Sequence, residues 1–356
     1  MKIAMLVSGG VDSSVALRLL QEQGHDVTAF YLKIWLEDEL AFMGTCPWEE
    51  DLAYVRQVCD QAQVQLEVVS LQKEYWEHVV TYTIAEIKKG NTPNPDVLCN
   101  SRIKFGFFCD YLARYHEKFD KIASGHYAQV YDQNGITHLA CAPDPIKDQT
   151  YFLSYLKQEQ LSKIIFPIGH LNKAQVREQA QRFDLPNKER KDSQGICFLG
   201  KISFRDFIAH HLGEKPGRLV EYETGATVGE HKGFWFYTIG QRQGIGLAGG
   251  PWYVVAKEIN SNTVFISRHY HDTDKDRRHF TVNHCNWITH RQPTLRSCRI
   301  KLRHGAMFHE ATLLYNNDDT IAVTLATQDQ GIASGQFAVF YDGTTCLGSG
   351  TICQIL

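Results

Sequence analysis

Near the start of the chain, Ser8-Gly-Gly-Val-Asp-Ser-Ser14 has the makings of an anion cradle. Its two glycines let the backbone approach a phosphate closely, and the free N–H groups of a following helix would point at it. Ser8, Ser13 and Ser14 could add hydroxyl donors. Neither Gly-x-x-x-x-Gly-Lys-[Ser/Thr] nor Gly-x-Gly-x-x-Gly is present there, so the loop is not a γ-phosphate grip of the Walker kind or a dinucleotide turn. Two cysteines stand in segments that could make them reactive. Asn94-Pro-Asp-Val-Leu-Cys-Asn100 places Cys99 three residues after Asp96, at the expected start of a helix. The helix N-terminus and the nearby Arg102 and Lys104 would lower the thiol pKa, whereas the charge of Asp96 would raise it. Cys197 lies in Lys191-Asp-Ser-Gln-Gly-Ile-Cys-Phe-Leu-Gly200, a glycine-flanked segment. Cys46, Cys59, Cys109, Cys141, Cys285, Cys298, Cys346 and Cys353 are read by default as small buried hydrophobes.

The first 200 or so residues alternate short apolar runs with amphipathic ones, the βαβ pattern of a parallel sheet. Ile3–Val7 reads as a buried strand leading into the cradle, and Val11–Gln23 as a helix stopped by Gly24. A strand at Val27–Leu32, a helix at Trp48–Gln63 with Leu52, Val55 and Val58 on one face, and a strand at Leu66–Val69 follow. A helix is expected over Glu74–Lys89. The two prolines of Asn91-Thr-Pro-Asn-Pro-Asp96 predict a loop, since neither suits a helix interior. Ile103–Tyr115 reads as a helix and Lys121–Ala123 as a strand. Asp132-Gln-Asn-Gly135 predicts a hairpin turn between Ala128–Tyr131 and Thr137–Cys141. After one helix at Phe204–Leu212, glycine-rich and β-branched segments run to about Ile266. From Phe280 onward short strands and turns predict a small barrel.

Composition bounds the answer. The chain has 356 residues, 43% hydrophobic and 22% charged, with a formal net charge of −3. Such a chain folds, and its length suggests more than one core. The charge balance excludes a protein that is basic throughout, but not a local basic face. No Cys-x-x-Cys pair suggests a zinc ribbon or thioredoxin-type site, no protein-only metal site is visible, and no run approaches the roughly 18 apolar residues of a membrane span. With neither signal nor transit peptide in view, reduced thiols and a cytoplasmic location are expected.

The cradle resembles the PP-loop of the ATP pyrophosphatases, which cleave ATP between the α- and β-phosphates. Further runs carry a closer likeness: Thr92–Asn100 with Ile103-Lys-Phe105, Ser124-Gly-His-Tyr127, Lys147-Asp-Gln149, Asp192-Ser-Gln-Gly-Ile-Cys197, Thr238-Ile-Gly-Gln-Arg242 and Gly335-Gln-Phe-Ala-Val-Phe-Tyr341. Together and in this order they resemble the tRNA-specific 2-thiouridylase (MnmA) family over nearly the whole chain. The resemblance implies an α/β fold class. A Rossmann-like PP-loop catalytic domain with a parallel sheet (1–200) would precede a small, mostly-β central domain (201–272) and a β-barrel-like, tRNA-binding C-terminal domain (273–356).

It implies thiolation of the wobble uridine of tRNAs for Lys, Glu and Gln. ATP, with Mg²⁺ expected, would adenylate O2 of the base. A persulfide on Cys197, supplied by a cysteine desulfurase and sulfur-relay proteins, would replace the activated oxygen. Cys99 would be the partner thiol and Asp96 the general acid/base. Leu6, Val7, Ser8, Gly9, Gly10, Val11, Asp12, Ser13, Leu32 and Gly125 take the family's ATP positions. Asn94, Pro95 and Asp96 would meet the flipped base. His126, Lys147, Asp148, Gln149, Arg303, His304 and Gln336 match positions that contact tRNA. His126 has a second reading as a core histidine. The sequence departs from the family pattern at Leu6, usually glycine, at Ile34, often asparagine, and at His304, usually an aromatic.

Nine basic residues against three acids between Arg268 and Arg303 suggest an RNA-facing segment, with a solvated face as the plain alternative. Trp235-Phe-Tyr237 could stack on bases or pack in a core. On the cradle alone, a PP-loop synthetase acting on a small metabolite would also fit, but it leaves both cysteines idle. A non-catalytic RNA-binding protein would leave the intact cradle unexplained. No oligomeric contact is suggested, and a monomer is favoured.

Overall fold

A computed structural model describes residues 1–34, 48–116, 118–191, 203–275 and 277–355; Cys46 and Cys197 lie outside the described residues. Strand β1 (Lys2–Val7) is buried from Ile3 to Val7, as a central strand covered on both faces must be. It pairs in parallel with β2 (Asp26–Lys33) on one side and β4 (Lys121–Ser124) on the other. With β3 (Leu66–Ser70) and the two-residue β7 (Ile164–Ile165) the sheet order is β3-β2-β1-β4-β7. Strand order reverses between β1 and β4, and the carboxyl end of such a switch point opens a ligand crevice. The cradle residues emerge there.

Helix α1 (Val11–Glu22) buries Val15, Ala16, Leu17 and Leu20, and Gly24 at φ +75° ends it as expected. In α2 (Trp48–Ala62) the buried face carries Leu52, Val55 and Val58. Helix α3 runs through Gln72–Tyr75, a wider-turned Trp76–Val80 and Thr81–Lys88.

The expected loop over Asn91–Asp96 needs correction, because helix α4 already starts at Pro95. Proline at the first helical position loses no hydrogen bond, and the Asn94 side chain caps the N–H groups of Asp96 and Val97 at 3.2 and 3.4 Å. Helix α4 continues through Pro95–Leu98, a wide-turned stretch Cys99–Phe107 and Phe108–Tyr115. The wide turns have a local cause. The Gln160 side-chain amide donates to the Ser101 and Phe105 carbonyls at 2.7 and 2.8 Å, entering the helix's own ladder.

Hairpin strands β5 (Ala128–Gln133) and β6 (Ile136–Cys141) turn at Asn134 and Gly135, both with positive φ. They do not join the parallel sheet. β6 pairs instead with β17 (Thr345–Ile355), the last strand of the chain. β17 belongs to a barrel closed by β12 (His279–Trp287), β15 (Ile321–Leu325), β14 (His309–Tyr315), β13 (Ser297–Lys301) and β16 (Phe337–Asp342), in that order, with β12 returning to β17.

Between sheet and barrel lie the short helices α5 (Thr150–Leu153) and α6 (Gln158–Leu161), and then α7 (Lys173–Arg182) and α8 (Phe204–Leu212). The central unit is a four-stranded sheet of β10 (Tyr253–Glu258), β11 (Thr263–Ser267), β8 (Gly217–Glu221) and β9 (Thr227–His231). The α/β class with a parallel sheet, a central β unit and a C-terminal barrel is as the sequence led one to expect.

One hydrophobic cluster runs from Phe30 and Val79 through Cys99 and Phe105 to Phe337, Val339 and Tyr341 of the barrel. The catalytic half and the barrel therefore share a core. Phe234 and Tyr237 pack in the central unit's core with Trp235 and Phe236 against it, which favours the core reading of that aromatic run. Among the described residues no helix is long and apolar enough to cross a membrane.

Candidate active site

The cradle folds back on itself at the tip of β1. The Ser8 amide donates to Ser13 Oγ at 3.2 Å, while Ser13 Oγ and Ser14 Oγ each donate to the Gly10 carbonyl at 3.0 Å. Gly9 sits at φ +76°, and a Cβ there would lie 2.5 Å from the Asp51 carbonyl oxygen. Only glycine fits. The Gly9 carbonyl accepts from Asn187 Nδ2 at 2.8 Å and from the Arg190 guanidinium at 3.0 Å. Arg190 in turn pairs with the Asp51 carboxylate. Turning this carbonyl inward leaves the loop's N–H groups for an anion.

Asp12, in the first turn of α1, is held by Lys173 Nζ at 2.7 Å and accepts from the Tyr127 hydroxyl at 2.9 Å. Gly125 lies against α1, where a Cβ would stand 2.7 Å from Ser13 N. Leu6 and Val7 are buried strand residues, and Leu32 is the last residue but one of β2, one strand away. Leu6 and Ile34, the two departures here, both pack with the core cluster on that face. Asn187, Arg190, Asp51 and Lys173 were missed in the sequence. Each lies outside the cradle motif, among other polar residues with no local pattern to single it out.

A second group of residues gathers around the start of α4. Asp96 is half-buried in its first turn, and Cys99, one turn on, is only 1% exposed. The expected position of Cys99 at the start of a helix is thus corrected, since the helix begins four residues earlier. The earlier start at Pro95 carries the thiol inside, next to Leu98 and Ile103. Arg102 is committed to the His78 carbonyl at 2.7 Å and to the face of Tyr82.

Asn94 also hydrogen-bonds the buried Tyr151, whose hydroxyl donates to the Phe337 carbonyl at 3.2 Å. Asn100 donates to the Phe152 carbonyl at 3.3 Å, and Phe152 stacks on His304 at 4.7 Å. The barrel's His304 therefore keeps a stacking contact despite its departure from the family's aromatic. Burial lowers the His304 pKa, with the charge of Lys301 next. Arg303 pairs with the buried Asp329, which also holds His309 at 3.2 Å. Gln336 Oε1 is buried and, among the described residues, without a hydrogen-bond partner.

Gly125 and His126, just after β4, lie against both groups. His126 Nδ1 and Ser124 Oγ are 2.8 Å apart, and its ring lies between Phe105 and Phe166. Burial, with the charge of Lys104, pushes its pKa well below the ordinary value, so the ring is neutral at pH 7. Gln149 Oε1 accepts from the Tyr127 amide at 3.0 Å.

Asp148 requires a correction as a tRNA contact. It is 1% exposed and forms an ion pair with the equally buried Lys301 at 2.7 Å, besides accepting from Thr150 Oγ1 and the Ala142 amide. A carboxylate so enclosed braces β13 against the Lys147–Gln149 turn. The basic run from Arg268 to Arg303 is corrected too, because most of it is not a free face. Lys275 pairs with Glu223, Arg268 with Glu221, and Lys301 with Asp148; Arg277 and Arg299 donate to backbone carbonyls. Arg303 keeps half of its side chain exposed.

Comparison with known proteins matches residues 1–201 to the tRNA methyl transferase HUP domain. Residues 205–268 match the tRNA methyl transferase PRC-barrel domain, and 277–352 the aminomethyltransferase beta-barrel domain. A tRNA-specific 2-thiouridylase MnmA of Parabacteroides distasonis is 45% identical over 358 residues, 99% of each chain. The chain belongs to the tRNA-specific 2-thiouridylase family. The family's likeness extends to a tRNA-specific 2-thiouridylase MnmA of Porphyromonas gingivalis, 45% identical over 364 residues and 99% of each chain. Another, tRNA-specific 2-thiouridylase MnmA 1 of Bacteroides thetaiotaomicron, is 46% identical, covering 99% of this chain and all of its own. Members of the 2-thiouridylase family are enzymes, sulfurtransferases.

Proposed function

We propose that this chain is the tRNA 2-thiouridylase of its cell, using ATP to replace O2 of a wobble uridine with sulfur. What supports the reading is that the residues just after β4 reach both parts: Gly125 lies against Ser13 of the cradle, and the His126 ring lies 6.2 Å from that of Phe105 on α4, the helix that begins beside Asn94 and carries Asp96 and Cys99. Leu6 to Ser13, with Leu32 and Gly125, hold ATP, and Mg²⁺ travels with it as part of that substrate. Asn94, Pro95 and Asp96 receive the extruded uracil, while His126, Lys147, Gln149, Arg303, His304 and Gln336 hold the surrounding RNA.

Adenylation converts O2 into a good leaving group and releases pyrophosphate. The terminal sulfur of a Cys197 persulfide attacks C2, and AMP departs with the oxygen. Cys99 thiolate then attacks Cys197 Sγ. The S–S bond breaks, C2 keeps its sulfur, and a Cys99–Cys197 disulfide is left for a two-electron reductant. Asp96 moves the proton at O2. Residues 1–200 do the chemistry, 201–272 link, and 273–356 hold tRNA. Substrates are the tRNAs for Lys, Glu and Gln; a cysteine desulfurase with relay proteins supplies sulfur in the cytoplasm.

The test incubates the protein with ATP, a persulfide donor and unmodified tRNA-Lys, and measures 2-thiouridine. Formation dependent on both ATP and the donor is expected. ATP turnover on a metabolite without RNA thiolation would overturn the reading.

A further inference from the structure

The central unit meets the loop after α3 at Gly90, and a partly buried cation makes the polar part of that contact. Lys257, on β10, donates from Nζ to the Gly90 carbonyl at 2.6 Å and to the Tyr237 carbonyl at 3.1 Å. Among the described residues it has no ion pair with a carboxylate. An ammonium enclosed this way costs desolvation that carbonyl dipoles only partly offset. Burial accordingly pushes Lys257 down to about 8. Gly90 follows the end of α3 at φ +85°, and a Cβ there would lie 2.6 Å from Ile259 Cδ1, so the same edge of the central unit also closes on it sterically.

Gly90 opens the connection into the site. Asn91 donates from its side chain to Glu86 at 2.6 Å, and the Thr92 amide donates to the Ser334 carbonyl of the barrel at 2.7 Å. Then come Pro93, Asn94 and Pro95, the N-cap and first turn of α4. Two prolines fix φ and restrict the residues before them, so this stretch is stiff. Gly90 is four residues from the N-cap Asn94, so the hold on its carbonyl and the Thr92 anchor together set where α4 begins.

We infer that Lys257 is a positioning residue for the thiolation reaction: by holding the Gly90 carbonyl, it fixes from the central unit where Asn94, Asp96 and Cys99 sit. This rests on the function proposed above. It gives the central unit a task beyond spacing, namely setting the geometry of the loop that receives the base.

The test compares the full-length chain with Lys257→Met, which keeps the apolar stem and removes the donors, and with Lys257→Arg, which restores donors. At saturating tRNA and ATP, Lys257→Met lowers the thiolation rate about tenfold, as expected for a mispositioned reacting group. ATP affinity stays unchanged, because the cradle is built on other elements. The rate of Cys99 alkylation by iodoacetamide, followed by mass spectrometry, shifts in Lys257→Met and returns toward wild type in Lys257→Arg. A wild-type thiolation rate and alkylation rate in Lys257→Met would overturn the inference. So would a parallel loss of ATP affinity that Lys257→Arg does not relieve, since that marks general damage. If Lys257→Met does not fold, Gly90→Ala, whose methyl would strike Ile259 Cδ1, shifts the Gly90 carbonyl away from Lys257 instead, and the same readouts decide. Should the wild type form no 2-thiouridine, the proposed function fails, while the alkylation comparison still decides the positioning role.

Discussion

At the scale of single residues, the buried pair of Asp148 and Lys301 is the most exposed to failure. Each charge is enclosed, and each depends on the other at 2.7 Å. Lys301→Met would leave a carboxylate without its cation, so equilibrium urea denaturation should show a loss of about 3–5 kcal/mol. Asp329 gives a pH signature. Burial alone would raise its pKa, but hydrogen bonds from His309 and Arg303 and the Arg303 charge outweigh it and hold the carboxyl well below the usual range. A carboxyl depressed in the folded state stabilises above its unfolded pKa, about 4, and that stability is lost as pH falls below it. Asp329→Asn should therefore show a shallower decline in Tm between neutral pH and pH 3 than wild type; an unchanged slope would remove Asp329 as the cause. The sequence marked the chemistry of Cys99 and Asp96 through local spacing, and Cys99's burial escaped it because an N1 proline was read as a loop residue. Asp148 was misread for another reason. Its partner, Lys301, lies 153 positions away, and nothing local distinguishes a buried aspartate from a surface one.

Among the elements, the cradle depends on two close backbone approaches that tolerate no side chain. Gly125→Ala would place a methyl 2.7 Å from Ser13 N and force β4 from α1. ATP binding by isothermal titration should become undetectable while circular dichroism keeps its helical signal. The hairpin β5–β6 offers a milder test. Its turn needs positive φ at Asn134 and Gly135. Replacing both with alanine should lower stability by about 1–3 kcal/mol, and thermal denaturation would measure it. The elements of the parallel sheet were legible because apolar runs and glycine stops repeat at the right period. The hairpin was legible as a hairpin. Its attachment to the barrel's last strand was not, because pairing with β17 is a long-range choice that period-two alternation does not encode.

For the whole molecule, the shared core means that the parallel-sheet half and the barrel are not separable modules. Tyr151 reaches the Phe337 carbonyl, Ser154 donates to Ser349 at 2.9 Å, and Tyr131 meets Thr345 at 2.8 Å. A fragment ending at residue 201 would expose this apolar face and the free edge of β6. We expect it to elute as aggregate in size-exclusion chromatography, whereas a monomeric folded peak would show that the catalytic half stands alone. The pairing of β6 with β17 also orders events in time. Tyr131 of the hairpin and Thr345 of β17 are 214 residues apart, so the hairpin waits for its partner while about three fifths of the chain is still being translated. A ribosome that stalls before β17 releases a chain with an ATP cradle and a cysteine but an unfinished core. Its hairpin then presents an unpaired edge, open to association with other chains, that the finished molecule covers with β17.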